Sequence, residues 1–237
     1  MTRSASPAER ILCAIDTTDL EAAESLARRL AGTVGGVKLG SEFFTAHGAE
    51  GVRRIAAGGA PVFLDLKYHD IPNTVAGAVR AAKALGCFML TVHAAGGAAM
   101  MRAAAEARGP AAGPVIVAVT VLTSLGEDDL AAIGQAGPVA DQVLRLGRLA
   151  RNAGADGLVA SPLEVAALRA ALGPDSVLVV PGIRPGWAAS DDQKRVTTPA
   201  EAVRAGADYL VIGRPITRAA NPEEAARRIA AELAACQ

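Results

Sequence analysis

The sequence predicts an α/β protein folded as a closed (β/α)8 barrel, the TIM-barrel architecture, as a single domain spanning residues 1–237. Three observations carry the prediction. Eight short apolar runs recur along the chain with Gly or Asp punctuation, alanine-rich stretches with helical spacing lie between them, and no glycine fingerprint of a dinucleotide site opens the first helix. Apolar residues make up 51% of the chain and aromatics only 3%, so Val, Ile, Leu and Ala must fill the core.

The runs are 11–16 (ILCAID), 35–40 (GGVKLG), 61–67 (PVFLDLK), 87–94 (CFMLTVHA), 114–120 (PVIVAVT), 156–161 (DGLVAS), 176–182 (SVLVVPG) and 208–213 (DYLVIG). Each is nearly continuous in apolar residues, as a strand covered on both faces requires. The stretches 19–32, 41–59, 99–109 and 222–235 repeat apolar residues every three or four positions, with Gly near several ends, and read as helices. There is no linker and no low-complexity segment. The longest irregular stretches, 121–137 and 181–198, follow strand ends, the face on which barrels place their chemistry, and are candidate lids.

Composition excludes several functions. Twenty-four basic residues balance twenty-four acidic ones without a run of like charge, which argues against nucleic acid or an anionic membrane surface as partner. Cys13, Cys87 and Cys236 show neither disulfide nor zinc spacing, and Cys13 and Cys87 read as small apolar groups inside strands. The segment MTRSASPAER has no apolar core of a signal peptide and no later run spans a membrane, so a reducing cytoplasm is expected.

Charge concentrates at strand ends: Asp16 after the first, Lys38 late in the second, Asp65 and Lys67 closing the third, Asp70 just beyond. Residues two apart on a strand share a face, which sets Asp65 beside Lys67. Lys38, Asp65, Lys67 and Asp70 together make sense as an alternating network, because an unpaired buried charge is very costly. Ordinary salt bridges closing the barrel are the plain alternative, yet branched apolar residues would serve stability better at these positions.

On the opposite edge, 181–185 (PGIRP) and 211–217 (VIGRPIT) each place Gly and Arg after a strand. Loops after strands seven and eight commonly bind phosphate in barrels, so Arg184 and Arg214 point to a phosphorylated substrate. The bland alternative makes both surface residues. His47, His69 and His93 lack metal-ligand spacing: His47 sits mid-helix, His69 follows the charged cluster, and His93 stands alone at a strand end. No P-loop, nucleophile elbow or C-x-x-C occurs, so no cofactor and no metal is expected. The residues alone thus describe a barrel enzyme acting on a phosphorylated small molecule, with a lysine as proton donor or base.

The stretch 63–75 (FLDLKYHDIPNTV) resembles the D-x-K-x-x-D-I-P-x-T signature of the orotidine 5′-phosphate decarboxylases, bacterial form. The likeness extends through AID 14–16, VKLGSEFFTAHG 37–48, VHAAGGAAMM 92–101, AVTVLTS 118–124, PGIRP, DDQKR 191–195 and DYLVIGRPIT 208–217, all in the expected order. The resemblance implies conversion of orotidine 5′-phosphate to UMP and CO2, the last step of pyrimidine nucleotide synthesis, without cofactor. It implies Lys67 as proton donor in a network with Lys38, Asp65 and Asp70, and Asp16 and Lys38 on the ribose hydroxyls. It further implies a homodimer with shared sites, Asp70 and Thr74 reaching the neighbouring subunit's site, and Ile71 among the substrate-binding residues. Thr123 would cover the pyrimidine, and Arg184, Gln193, Gly213 and Arg214 would hold phosphate.

Overall fold

A computed structural model describes residues 6–109, 113–135, 137–188 and 197–235. The chain runs β1 (Ile11–Ile15), α1 (Leu20–Leu30), β2 (Gly36–Gly40), α2 (Ser41–Ala57), β3 (Val62–Tyr68), α3 (Pro72–Lys83), β4 (Met89–His93) and α4 (Gly97–Arg108). It continues with β5 (Val115–Val119), α5 (Glu127–Ala132), α6 (Val139–Asn152), β6 (Gly157–Val159), α7 (Val165–Leu172), β7 (Val177–Val180), α8 (Pro199–Ala205), β8 (Tyr209–Ile212), α9 (Arg214–Thr217) and α10 (Pro222–Ala234). The strands close as β1-β2-β3-β4-β5-β6-β7-β8, every neighbouring pair parallel, with β8 returning to β1 through Leu12↔Val211. All eight expected strands are present.

Alternation along the strands builds two cores. Leu12, Ala14, Phe63, Met89, Val117, Val179 and Val211 point inward and fill the barrel, while Ile11, Cys13, Ile15, Val37, Leu39 and Leu64 face the helices. Burying a side chain such as Phe63 or Met89, at most 1% exposed, contributes roughly 1.5–3 kcal/mol. Close approach of β6 to β7 depends on glycine: a Cβ at Gly157 would stand 2.1 Å from the Val177 carbonyl oxygen.

The bottom of the barrel is tied by a repeated device. Asp156, just before β6, accepts hydrogen bonds from Arg108 at 2.6 Å and from the Ile116 amide at 2.8 Å. Asp208, just before β8, accepts from Arg169 at 2.7 Å and from the Leu178 amide at 2.8 Å. Both aspartates sit in an Ala-Gly-Ala-Asp repeat, 153–156 and 205–208, and each joins a strand start to the end of a helix. Helix starts are capped by Asp19 for α1, Thr198 with Glu201 for α8 and Asn221 for α10.

Three expectations need correction. The 121–137 stretch is not wholly irregular, because the acidic residues 127–129 open the short helix α5 behind Gly126. Cys87 precedes β4 rather than lying in it, although it is buried like Cys13. Helix α2 breaks at Gly48, where φ is 57°, so His47 ends a turn and its Nε2 meets the Thr18 carbonyl oxygen at 2.8 Å.

Candidate active site

The carboxyl ends of the first three strands bring their charged residues together through strand register. Ala14 pairs with Lys38, Lys38 with Phe63, and Gly40 with Asp65, so inward-facing Lys38 and Asp65 stand on adjacent strands. The Lys38 ammonium lies 3.2 Å from Asp16 Oδ1 and 3.7 Å from Asp65 Oδ2. The Lys67 ammonium donates to both oxygens of Asp65, at 3.0 and 2.9 Å. Asp65 and Lys38 side chains are only 14% and 11% exposed; two cations against a shielded carboxylate satisfy the requirement that buried charge be paired. Glycine at position 40 keeps this space open, since a Cβ there would reach to 3.2 Å from Lys38 Nζ.

Asp65 and Lys67 do meet, but not by simple alternation. The register between β3 and β4 runs Leu64↔Leu90 and then Tyr68↔Val92, so residues 65–67 bulge opposite the single residue Thr91. Within the bulge Lys67 adopts φ 50°, and it is the one non-glycine residue at positive φ among those described. A left-handed non-glycine conformation costs of order 1–2 kcal/mol, and strain of this kind concentrates at functional positions.

Asp70 is not brought to Lys67 of its own chain. Its exposed carboxylate accepts the Ile71 amide at 2.6 Å, just before α3. Ile71, 66% exposed, and Thr74, on the first turn of α3, face outward beside it. The four-member network expected from sequence is therefore, within one chain, Asp16–Lys38–Asp65–Lys67.

Lys38, Asp65 and Lys67 form the polar wall of a cavity of about 170 Å³. Its other walls are apolar, among them Val119, Val159 and Val211, with Thr123 at the edge. A larger hollow of about 880 Å³, reached past Thr123 and Pro181, opens beneath α5 and the start of α6. The strand-end cluster of Lys38, Asp65 and Lys67 lines the smaller cavity, whereas the larger hollow carries only Glu127 and Glu164 as charged lining residues; converging charge in an otherwise apolar pocket makes the smaller cavity the candidate site.

Arg184 follows β7 and is 4% exposed, its amide donating to the Thr197 carbonyl at 3.0 Å. It is thus no surface arginine. Arg214 opens α9 directly after Gly213, just past the end of β8, the strand that pairs with both β7 and β1. Gln193 lies outside the described residues.

Two features were not expected. His93 is not alone: its ring stacks on that of His69, centroids 5.3 Å apart and planes 15° from parallel. The Ala95 amide donates to His93 Nδ1 at 3.2 Å, which places the ring proton on Nε2. Burial first, then the electrostatic influence of neighbouring His69 and Lys67, holds the His93 pKa below the usual histidine value. Thr91, wholly buried, faces the bulge; in the sequence it reads as one more β-branched strand residue. Among the described residues no group of three or more His, Cys, Asp or Glu side chains is placed to hold a metal ion.

Residues 9–229 match the family described as Orotidine 5′-phosphate decarboxylase / HUMPS family. An orotidine 5′-phosphate decarboxylase of Anaeromyxobacter sp. strain K is 58% identical over 227 residues, covering 96% of this chain and 99% of the relative. That of Paramagnetospirillum magneticum is 56% identical over 229 residues, covering 94% and 97%. The crystal structure of orotidine 5′-phosphate decarboxylase from Lactobacillus acidophilus superposes with a TM-score of 0.84 at 36% identity, covering 94% of this chain and 98% of that one.

Proposed function

The chain belongs to the orotidine 5′-phosphate decarboxylase / HUMPS family, and on that premise we propose that it converts orotidine 5′-phosphate to UMP and CO2, the last step of pyrimidine nucleotide synthesis. The observation that carries the reading is the Lys67 ammonium held 2.9 Å from Asp65 in the wall of a small, otherwise apolar cavity. Breaking the C6–carboxylate bond of orotate leaves an electron pair in an in-plane orbital that the ring π-system does not delocalise. The site must therefore supply fixed positive charge where that pair forms, and a proton afterwards. Lys67 does both: it faces the developing carbanion, transfers a proton to C6, and is recharged from solvent once UMP has formed. No cofactor is required.

The remaining residues bind and orient. Asp16 and Lys38, joined at 3.2 Å, hold the ribose hydroxyls, and Thr123 meets the pyrimidine edge. Arg184, Gln193, Gly213 and Arg214 grip the phosphate, whose binding energy is spent remote from the reacting carbon. Asp65 stands beside the departing carboxylate and fixes the Lys67 ammonium. The enzyme acts as a homodimer, in which Asp70, Ile71 and Thr74 complete the partner's site; the exposed Ile71 beside an Asp70 that does not meet its own Lys67 supports this. Free, buried Cys13 and Cys87 fit a reducing cytoplasm.

The test follows the absorbance of orotidine 5′-phosphate in the presence and absence of EDTA. Turnover insensitive to chelator is expected. An activity abolished by EDTA would instead favour a metal-dependent sugar-phosphate reaction on the same barrel, with a cation beside Asp65 where Lys38 now stands.

A further inference from the structure

We infer that Thr91 is a positioning residue for the reaction, holding the Lys67 backbone and the Asp65 carboxylate in one hydrogen-bonded ring; the assignment rests on the decarboxylase reading above. The reasoning starts from the bulge. With Asp65, Leu66 and Lys67 all opposite Thr91, the ladder between β3 and β4 lapses, and the Lys67 amide loses the carbonyl partner a regular strand would give it. It donates instead to Thr91 Oγ1, at 2.7 Å.

That contact settles where the hydroxyl proton goes. An amide N–H can only donate, so Thr91 Oγ1 accepts there and its own hydrogen is available for Asp65 Oδ1, 3.0 Å away. Asp65 in turn receives the Lys67 ammonium on both oxygens. Lys67 is thereby held at both ends: its main chain through Thr91, its side chain through Asp65, and the two holders through each other. Thr91 is 0% exposed, so water does not compete for the hydroxyl. Its strand neighbours Leu90 and Val92 pack outward against the helices, which leaves Thr91 as an inward residue where a valine of the same shape would satisfy packing.

The ring also explains how a lysine persists at φ 50°. A backbone in a sparsely populated region survives where its surroundings over-determine it, and the Thr91 hydroxyl supplies that determination at the amide of the strained residue. Thr91 is not among the residues that line the cavity. Its role is to fix the direction of the ammonium, so its loss is felt in the chemical step more than in binding.

The experiment compares wild type, Thr91→Val and Thr91→Ser in steady-state decarboxylation, with UMP binding and thermal melting measured alongside. Thr91→Val keeps the shape and removes the hydroxyl. Its kcat is expected to fall roughly 10- to 100-fold, the scale of a small misplacement of a reacting group, with KM and UMP affinity within about threefold of wild type on the same positioning argument. Thr91→Ser restores the hydroxyl and with it most of kcat, which a purely structural role would not require. Where Thr91→Val does not accumulate as folded protein, Thr91→Ala takes its place. A kcat close to wild type without the hydroxyl, a loss confined to KM, or a serine variant as slow as the valine one overturns the assignment. An inactive wild-type chain overturns the decarboxylase reading and this assignment together, whereas an active wild type with an indifferent Thr91→Val overturns this assignment alone.

Discussion

Lys67 donates to both carboxylate oxygens of Asp65 from a main chain turned to φ 50°. Two residues apart on a strand, these side chains would ordinarily stand parallel on one face, separated by the rise of the chain. The bulge folds the later residue back, so a forked ion pair forms between near neighbours at the wall of the cavity. Backbone strain and charge pairing therefore belong to one arrangement, in which the strain sets the direction of the ammonium.

This coupling yields a prediction in which stability and activity separate. Lys67→Ala and Lys67→Gly both lose the ammonium, and both should lose turnover by at least roughly 10³-fold, given what a positioned acid and a fixed charge each contribute, while still binding UMP. They differ in the backbone. Glycine tolerates φ 50°, so Lys67→Gly should be more stable than Lys67→Ala by about 1 kcal/mol, the reverse of the usual penalty for glycine in a strand. Denaturant unfolding of the two variants decides it. An alanine variant at least as stable as the glycine one removes the claim of strain, and near-normal turnover in either removes Lys67 from its role.

The outward Asp70 leads to a test of shared sites. Asp70→Ala and Lys67→Ala homodimers should each be nearly inactive. When the two are mixed and allowed to exchange subunits, one of the two sites in each hybrid regains an intact Lys67 and an intact Asp70. Activity should then approach a quarter of the wild-type value at equal mixing, since about half the dimers are hybrid and each has one good site. No recovery after exchange is confirmed by mass would place Asp70 in its own chain's site.

Much of this arrangement is legible in the residues, and the failures have physical causes. The eight strands are plain because parallel strands covered on both faces are nearly continuous apolar runs, as in β1, buried throughout. Asp65, Lys67 and Lys38 stand out because charge at the end of such a run has no role in packing. What stays hidden depends on neighbours far along the chain. Thr91 resembles any β-branched strand residue until the bulge of β3 is seen opposite it, and the His69–His93 stack arises only because β3 and β4 end side by side. Asp70 reads as a member of the cluster from its spacing, yet the turn into α3 carries it outward. Helix α5 is short and acidic, too brief for periodicity to mark.

The stacked histidines carry the last prediction, a dependence of stability on acidity. His93 accepts the Ala95 amide through Nδ1 and lies against His69 and near Lys67, so protonating it would break that bond and place a second positive charge near the Lys67 ammonium. Its folded-state pKa is held below the ordinary value of 6.5 by burial first and by its neighbours His69 and Lys67 second. The unfolded chain therefore takes up this proton before the folded one does. The contribution of His93 is complete above about pH 6.5, the unfolded value, and is lost as pH falls through the lower folded value. In His93→Asn an acceptor for the Ala95 amide is kept and the titration is removed. Melting temperatures measured between pH 7.5 and 5 should fall less steeply in that variant than in wild type, with the gap opening only below about pH 6.5. Parallel curves would mean that His93 charges as readily in the folded protein as in the unfolded chain, and that the stacked pair imposes no penalty on its proton.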